Sequence, residues 1–370
     1  MIVRRRLAMV GGGPGSFIGG IHRLGAQIAG IDLVAGVFSG NRDKSLEAAR
    51  GYGIAPDRCY PTAEALFAAE SARADGIDMV AIATPNHLHL PVALQAIAAG
   101  VDIISDKPAT ATLAEVLLLR DALAKGDSRY ALTFTYSAYP MVREARARIA
   151  AGEIGAVRKT IVTYAQGTLA GPARPDAVRS WRTDPAQAGV GGCVSDIGTH
   201  AFNLAEYVTG TPVTAICADL GSQGDERLLD DDCTVLLRFG GGGRGALIAS
   251  QIAFGERNAL SFQVYGDRGA LHWHFDQADM LRLVRGGDTS LLTPASAGLL
   301  APTPVPRGIG NGLIAPFAIL YRDFAEACAG KPELIDNMLP GIEAGVRSMR
   351  FVERAVASSA DGAGWVTLDG

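Results

Sequence analysis

In the first third of the chain, apolar residues fall in short continuous runs rather than in alternation. Such runs predict parallel strands buried on both faces, over Leu7–Val10, Leu33–Phe38, Ile77–Thr84, Val101–Ser105 and Tyr130–Phe134. Stretches with helical spacing lie between them and predict helices over Lys44–Arg50, Ala63–Ala69, Val92–Ala99 and Leu113–Ala124. This alternation predicts a doubly wound parallel sheet, an α/β fold. After Tyr136 the rhythm changes. A helix is predicted over Met141–Ala151, an alternating strand over Arg158–Ala165, and a further helix through the stretch DIGTHAFNLAEYV. Strands predicted at Val213–Leu220, Thr234–Phe239, Ala246–Ile252, Leu260–Tyr265 and Gly269–Trp273 follow closely, with turns such as GDRG, and predict an antiparallel sheet. Two last helices, Ile314–Ala329 and Ile342–Ser358, are expected to cover it. The stretches from Gly167 to Gly192 and from Ala295 to Asn311 read as long loops.

The chain has 370 residues, enough for two domains. Hydrophobic residues make up 48% and charged residues 19%, which fits large cores rather than disorder. The net charge of −4 and scattered Lys and Arg give no basic patch for nucleic acid. Arg4, Arg5 and Arg6 precede an apolar run that glycines break at once, so no signal peptide is read there. No run is long enough to span a membrane. The five cysteines are widely spaced and form no C-x-x-C. They read as small buried residues in a reducing cytoplasm.

The stretch AMVGGGPGSFIGGIH, residues 8–22, follows the first strand. Gly11 and Gly13 permit a tight turn and a close approach of backbone to a pyrophosphate, with Pro14, Gly15, Ser16, Phe17 and Ile18 opening a helix. In a strict G-x-G-x-x-G the third glycine would be Ser16; Gly19 serves only if three residues are inserted. Locally, a phosphate cradle and a plain glycine turn both fit; the strand–helix alternation that follows favours dinucleotide binding. At the end of the second strand, Ser39 stands where an acid would hold the adenosine ribose of NAD. Asn41, Arg42 and Lys44 lie close by. This favours NADP over NAD, with two counter-readings: the cations only solvate a helix start, or Asp43 reaches the ribose.

Further along, ATPNHLH places Thr84, Pro85, Asn86 and His89 at a strand end, where the nicotinamide ribose is expected. His87 and His89 lack a nearby carboxylate, so no metal is predicted there. In SDKPAT, Lys107 follows Asp106 and precedes Pro108, which should keep Lys107 extended. Lys107 either stabilises a substrate alkoxide or pairs with Asp106 at the surface. In GGCVSDIGTHAFNL, Asp196 and His200 are four apart and would share one helix face. A carboxylate beside an imidazole of reference pKa about 6.5 suits a general base. Asp196 as a helix cap beside an incidental histidine is the alternative. Cys193, Asp196 and His200 lack a fourth ligand, so this group too is read without metal. Tyr136 and Tyr139 either bind substrate or form a domain-interface core; Tyr164, Trp181 and Arg182 complete the substrate candidates.

Taken in order, the glycine loop ending in His22, ATPNHLH, DKP, AAGEIGAV and GGCVSDIGTHAFNL resemble the Gfo/Idh/MocA oxidoreductase family, named for glucose–fructose oxidoreductase, inositol dehydrogenase and a rhizopine-related protein. The resemblance spans nearly the whole chain. It implies an N-terminal Rossmann domain, here residues 1–136. It also implies a C-terminal α+β domain, residues 137–370, with an open, mainly antiparallel sheet that often joins a homodimer or homotetramer. The expected reaction is oxidation or reduction at a carbinol of a sugar or cyclitol, with NAD or NADP and no metal. Lys107 matches the lysine of the E-K-P motif, and Asp196 and His200 match the Asp and His of D-x-G-x-H. In that role His200 takes the hydroxyl proton as hydride leaves for nicotinamide C4, Lys107 holds the oxygen and Asp196 tunes the site. Departures are Asp106 for the usual Glu, Asn203 for a frequent Asp, and FTYSAYP where G-F-x-x-R is common. Ser39 and Lys44 match the NADP-binding stretch of glucose–fructose oxidoreductase. Rival expectations are a glycosidase that retains its nicotinamide and a non-enzymatic cofactor sensor.

Overall fold

The computed structural model describes residues 5–171, 184–223, 227–301 and 312–368. These residues form two units: one of residues 1–138 with 313–346, the other of residues 139–312 with 347–370. The first opens with β1 (Arg6–Gly11), α1 (Phe17–Ile28), β2 (Asp32–Val37), α2 (Arg42–Tyr52) and α3 (Ala63–Ser71). It continues with β3 (Met79–Ala83), α4 (His89–Ala98), β4 (Asp102–Ser105), α5 (Leu113–Leu123) and β5 (Tyr130–Leu132). The five strands are all parallel, in the order β2-β1-β3-β4-β5. β3 is buried along its whole length, as its unbroken apolar run requires. The order turns back between β1 and β3, so the crevice beyond their carboxyl ends is the natural ligand position.

Helix α1 carries Gly19, Gly20 and Gly25, although glycine is a poor helix former, and it buries one face through Gly19, His22, Gly25 and Ala26. Gly25 has a tertiary reason, since a Cβ there would lie 2.8 Å from Phe317 Cβ.

The second unit contains α6 (Pro140–Ala150), β6 (Val157–Ala165), α7 (Pro185–Ala188) and α8 (Thr199–Thr209). Then come β7 (Val213–Gly221), β8 (Asp232–Phe239), β9 (Arg244–Ser250), β10 (Ala259–Gly266), β11 (Gly269–His274), β12 (Leu281–Arg285) and β13 (Asp288–Leu292). The sheet runs β13-β12-β11-β10-β6-β9-β8-β7, and closes on a short β14 (Val366–Thr367). All neighbours are antiparallel except β6 and β9. Strands β12, β13 and β14 were not expected; β13 is exposed almost throughout and β14 has two residues, so neither carries an apolar signature. One sheet face is buried: along β8, Cys233, Val235, Leu237 and Phe239 alternate with exposed Thr234, Leu236 and Arg238. On the helical side, Phe202 of α8 stacks on Phe351, ring centroids 4.4 Å apart.

The expectation that both C-terminal helices cover the antiparallel sheet is corrected for the first of them. α9 (Ile314–Cys328) belongs to the first unit and lies against α1. Phe317 meets the His22 ring edge-on, centroids 5.1 Å apart, and His22 Nδ1 lies 2.8 Å from Tyr321 Oη. α10 (Ile342–Ala360) divides after Val346, its later residues counting with the second unit. Among the described residues no helix is long and apolar enough to cross a membrane.

Candidate functional site

Gly11 ends β1 in the left-handed region at φ +100°, and a Cβ there would stand 2.2 Å from Ala83 O of β3. At Gly13 a Cβ would stand 2.4 Å from Phe38 O, at the end of β2. Both positions must be bare. The third close approach is made by Gly19, whose Cβ would lie 2.4 Å from Gly12 Cα. The longer loop therefore keeps the packing role of the third glycine three residues further on. The insertion closes as a turn: Ser16 N donates to Gly13 O at 2.9 Å, and Gly15 sits at φ +81°. Ser16 Oγ then caps α1 by accepting from Gly19 N at 3.2 Å. Phe17 and Ile18 form the first helical turn, with the Phe17 ring 71% exposed. A helix N-terminus behind a bare backbone loop at a sheet switch point fits a pyrophosphate.

At the ribose end the expected residues also carry local hydrogen bonds. Asn41 is the cap of α2, its Oδ1 accepting from Lys44 N at 3.1 Å. Arg42 Nη1 donates to Cys59 O at 2.9 Å, so this cation ties the chain together rather than only flanking a phosphate. Ser39 Oγ accepts from Asn41 N at 3.1 Å.

At the end of β3, Thr84 Oγ1 is buried and has no hydrogen-bond partner among the described residues, a place for a ligand hydroxyl. Pro85 leads into a short turn through Asn86, which is 5% exposed. His89, expected as a cofactor contact, lies buried between two loops. It is 1% exposed, with Nδ1 2.8 Å from Pro108 O and Nε2 2.9 Å from Thr84 O. Both ring nitrogens are thus turned to backbone carbonyls. Burial lowers its pKa, against the pull of Thr84 O, Asp106 and Pro108 O. His87 is exposed, so the two histidines do not converge. Beyond β4, Asp106 Oδ1 accepts from Thr133 Oγ1 at 2.7 Å and from Lys107 N at 3.0 Å. The Lys107–Pro108 peptide is cis.

In the second unit the expected continuous α-helix from Asp196 is replaced by a π-helical turn, Val194–Gly198, leading into α8. A wider turn changes the phase between Asp196 and His200, so the one-turn α spacing does not describe them. Asp230 fixes the entry to this turn, accepting from Gly192 N at 2.6 Å and Val194 N at 2.7 Å. Gln251 Nε2 donates to Asp196 Oδ2 at 3.0 Å. The Tyr164 ring lies beside that of His200, centroids 6.1 Å apart. Tyr164 Oη donates to Asn258 Oδ1 at 3.1 Å, and Gln166 Nε2 donates to the same oxygen at 2.6 Å.

Gln166, Gln251 and Asn258 escaped the sequence reading. Each sits just beyond the end of β6 or β9 or just before the start of β10, and only the sheet order makes those three ends adjacent. Tyr139 is fully buried, its ring on Trp273 and Phe275 at 5.5 and 6.0 Å, which is core packing. Tyr136 is 5% exposed, in a turn of the first unit. Trp181 and Arg182 lie outside the described residues. Among the described residues no group of three or more His, Cys, Asp or Glu could hold a metal ion.

Comparison with known proteins identifies the family and the fold. The family profile described as "Oxidoreductase family, NAD-binding Rossmann fold" matches residues 5–134, and the GFO/IDH/MocA C-terminal domain matches residues 142–272. Levoglucosan dehydrogenase of Pseudarthrobacter phenanthrenivorans is 28% identical, over 92% of this chain and 98% of its own. An inositol dehydrogenase homolog from Azotobacter vinelandii, solved with NAD+, superposes with a TM-score of 0.92 at 32% identity, over 99% of this chain and 98% of the other. The same homolog with NADH and myo-inositol gives 0.89 at 31% identity, with 99% and 98% covered. The chain is a member of the GFO/IDH/MocA oxidoreductase family, with an NAD-binding Rossmann domain at its N-terminus.

Proposed function

We propose that the protein is an NAD-dependent dehydrogenase that oxidises a secondary CH–OH group of an uncharged sugar or cyclitol. The observation that carries the chemistry is the arrangement at the head of α8. There Asp196 is held by Gln251, and the Tyr164 ring beside His200 is bonded to the amide of Asn258, which also takes that of Gln166. Amides and a phenol donate to and accept from hydroxyl groups, which suits a polyol. The names of the relatives, an inositol dehydrogenase homolog and a levoglucosan dehydrogenase, support the same substrate class.

Gly11, Gly13 and the first turn of α1 would hold the pyrophosphate, Ser39 the adenosine ribose and Thr84 the nicotinamide ribose. When bound, the nicotinamide supplies the hydride acceptor. His200 removes the hydroxyl proton, because an alcohol gives up hydride readily only as its proton departs. Lys107 stabilises the developing alkoxide, and Asp196 orients the imidazole. We infer NAD rather than NADP; support comes from the solved inositol dehydrogenase homolog, which carries NAD+ or NADH, and from Arg42, which gives one of its N–H groups to Cys59 O.

A screen of free sugars, anhydrosugars and inositols with NAD and NADP in parallel tests the reading. A steady rise of reduced-nicotinamide absorbance with an uncharged polyol is the expected result. Turnover of a glycoside without that rise would replace the dehydrogenase by an enzyme that retains its cofactor.

A further inference from the structure

We propose that His89 is a positioning residue that sets Lys107 by clasping two neighbouring strand ends. The proposal rests on the reading of Lys107 given above. β3 and β4 are adjacent, with Ile82 opposite Ser105. Thr84 follows β3 by one residue, and Pro108 follows Lys107 beyond β4. The buried imidazole spans the two loops, 2.9 Å from Thr84 O and 2.8 Å from Pro108 O. On its other side, Lys107 is held through its own N–H, which donates to Asp106 Oδ1 at 3.0 Å while Thr133 Oγ1 holds the same oxygen. The main chain of Lys107 is therefore fixed before and after the residue. A lysine side chain is long and flexible, so the place from which it starts decides where its ammonium can go. The neutral ring carries one N–H and so donates to one of these two carbonyls, while its body fills the space between the loops. Removing it leaves a buried carbonyl without its donor and opens room on the Pro108 side of the loop. This explains a buried histidine in a motif otherwise turned to the cofactor.

Two measurements test the proposal. The first is a double-mutant cycle on kcat with the polyol oxidised fastest in the screen and NAD. His89→Ala is expected to lower kcat by about 10- to 100-fold, the scale of a small misplacement of a catalytic group, with NAD affinity little changed. In a Lys107→Ala background it should cost nothing further. His89→Gln, which keeps an N–H donor, should recover part of the loss. The second needs neither substrate nor cofactor. The chain has five lysines, and after reductive 13C-methylation the Lys107 resonance is assigned by its loss in Lys107→Arg. His89→Ala should move that resonance alone. Should His89→Ala fail to fold, His89→Asn replaces it in both experiments. Additive losses in the cycle, or an unmoved Lys107 resonance, overturn the clasp alone. Full kcat in Lys107→Ala overturns the reading of Lys107 and the clasp with it.

Discussion

Gln251 donates to Asp196 across 55 positions of sequence, Nε2 to Oδ2 at 3.0 Å, and so holds the carboxylate of the expected catalytic pair from the end of a strand. Gln251 is itself fixed on both sides of its backbone: its N–H donates to Asp231 O and its carbonyl accepts from Leu169 N, each at 2.8 Å. It is 7% exposed, so its amide has little freedom to turn away. A hydrogen bond to a charged group contributes about 1.5–3 kcal/mol. Gln251→Leu, of similar volume, should lower kcat by roughly 10- to 100-fold while NAD affinity stays unchanged. Steady-state kinetics and an NAD titration on the folded variant check this; a normal kcat would show that Asp196 needs no such support.

His200→Ala should lower kcat by ~10²–10⁴-fold with little loss of cofactor binding, the ordinary contribution of a general base. The wild-type oxidation rate should rise with pH as the base loses its proton, and that rise should disappear in the variant. A folded variant with near-full kcat would remove His200 from the chemistry.

Ser39→Asp should raise the ratio of NAD to NADP efficiency, because a carboxylate accepts from ribose hydroxyls and repels a 2′-phosphate. Parallel kcat/KM measurements with the two cofactors read this directly. An unchanged ratio would place Ser39 away from the ribose.

Gly13→Ala introduces a methyl group 2.4 Å from Phe38 O, a backbone atom that cannot simply rotate aside. Overpacking of this kind costs about 1–3 kcal/mol. Lower thermal stability and weaker NAD binding are expected together. Gly15→Ala is a different case: its Cβ meets nothing within 4 Å, but φ +81° makes the substitution strained by conformation alone. A Gly13→Ala protein as stable as wild type would show that the loop can open there.

His22 is fully buried against Phe317 and Tyr321, and burial holds its imidazole below the ordinary 6.5. Below about 6.5 the unfolded chain therefore takes up a proton that the folded chain refuses. Stability is complete above that pH and declines as pH falls from it towards the lowered folded value. His89 contributes in the same sense, its pKa also lowered by burial. Melting temperature should thus be level from pH 8 to 7 and fall towards pH 5, and His22→Gln should make the fall shallower. A melting temperature independent of pH across this interval would show that His22 takes up its proton equally well in the folded and the unfolded chain.

The five parallel strands were legible because each has a short apolar centre, from Met79–Ala83 along β3 to Ile103 and Ile104 in β4, a property of the stretch itself. Gly11 and Gly13 were legible for a similar reason, since a bare backbone after a buried strand has few uses. The stretches bearing Lys107, Asp196 and His200 were legible as motifs in a fixed order. The insertion before Gly19 was visible as a mismatch, and only the 2.4 Å approach to Gly12 shows that the mismatch is absorbed.

Other features needed the chain to meet itself. α9 has a plain helical pattern, but nothing in its spacing says which unit it joins. That is settled by Gly25 beneath Phe317 and by His22 with Tyr321, partners 299 positions apart. The π-helical turn at Asp196 changes the phase of a helix without changing its composition. Arg42 and His89 read as ligands of a cofactor because their types suit one, yet their partners are the carbonyls of Cys59, Thr84 and Pro108. Hydrophobic period and turn chemistry act over a few residues, so the sequence by itself determined the elements, the glycine loop and the candidate chemistry. Carbonyl partners, sheet neighbours and the packing of returning helices are relations between distant segments. Only the tertiary structure decided those, because a hydrogen bond depends on where two groups lie in space and not on how far apart they stand in the chain.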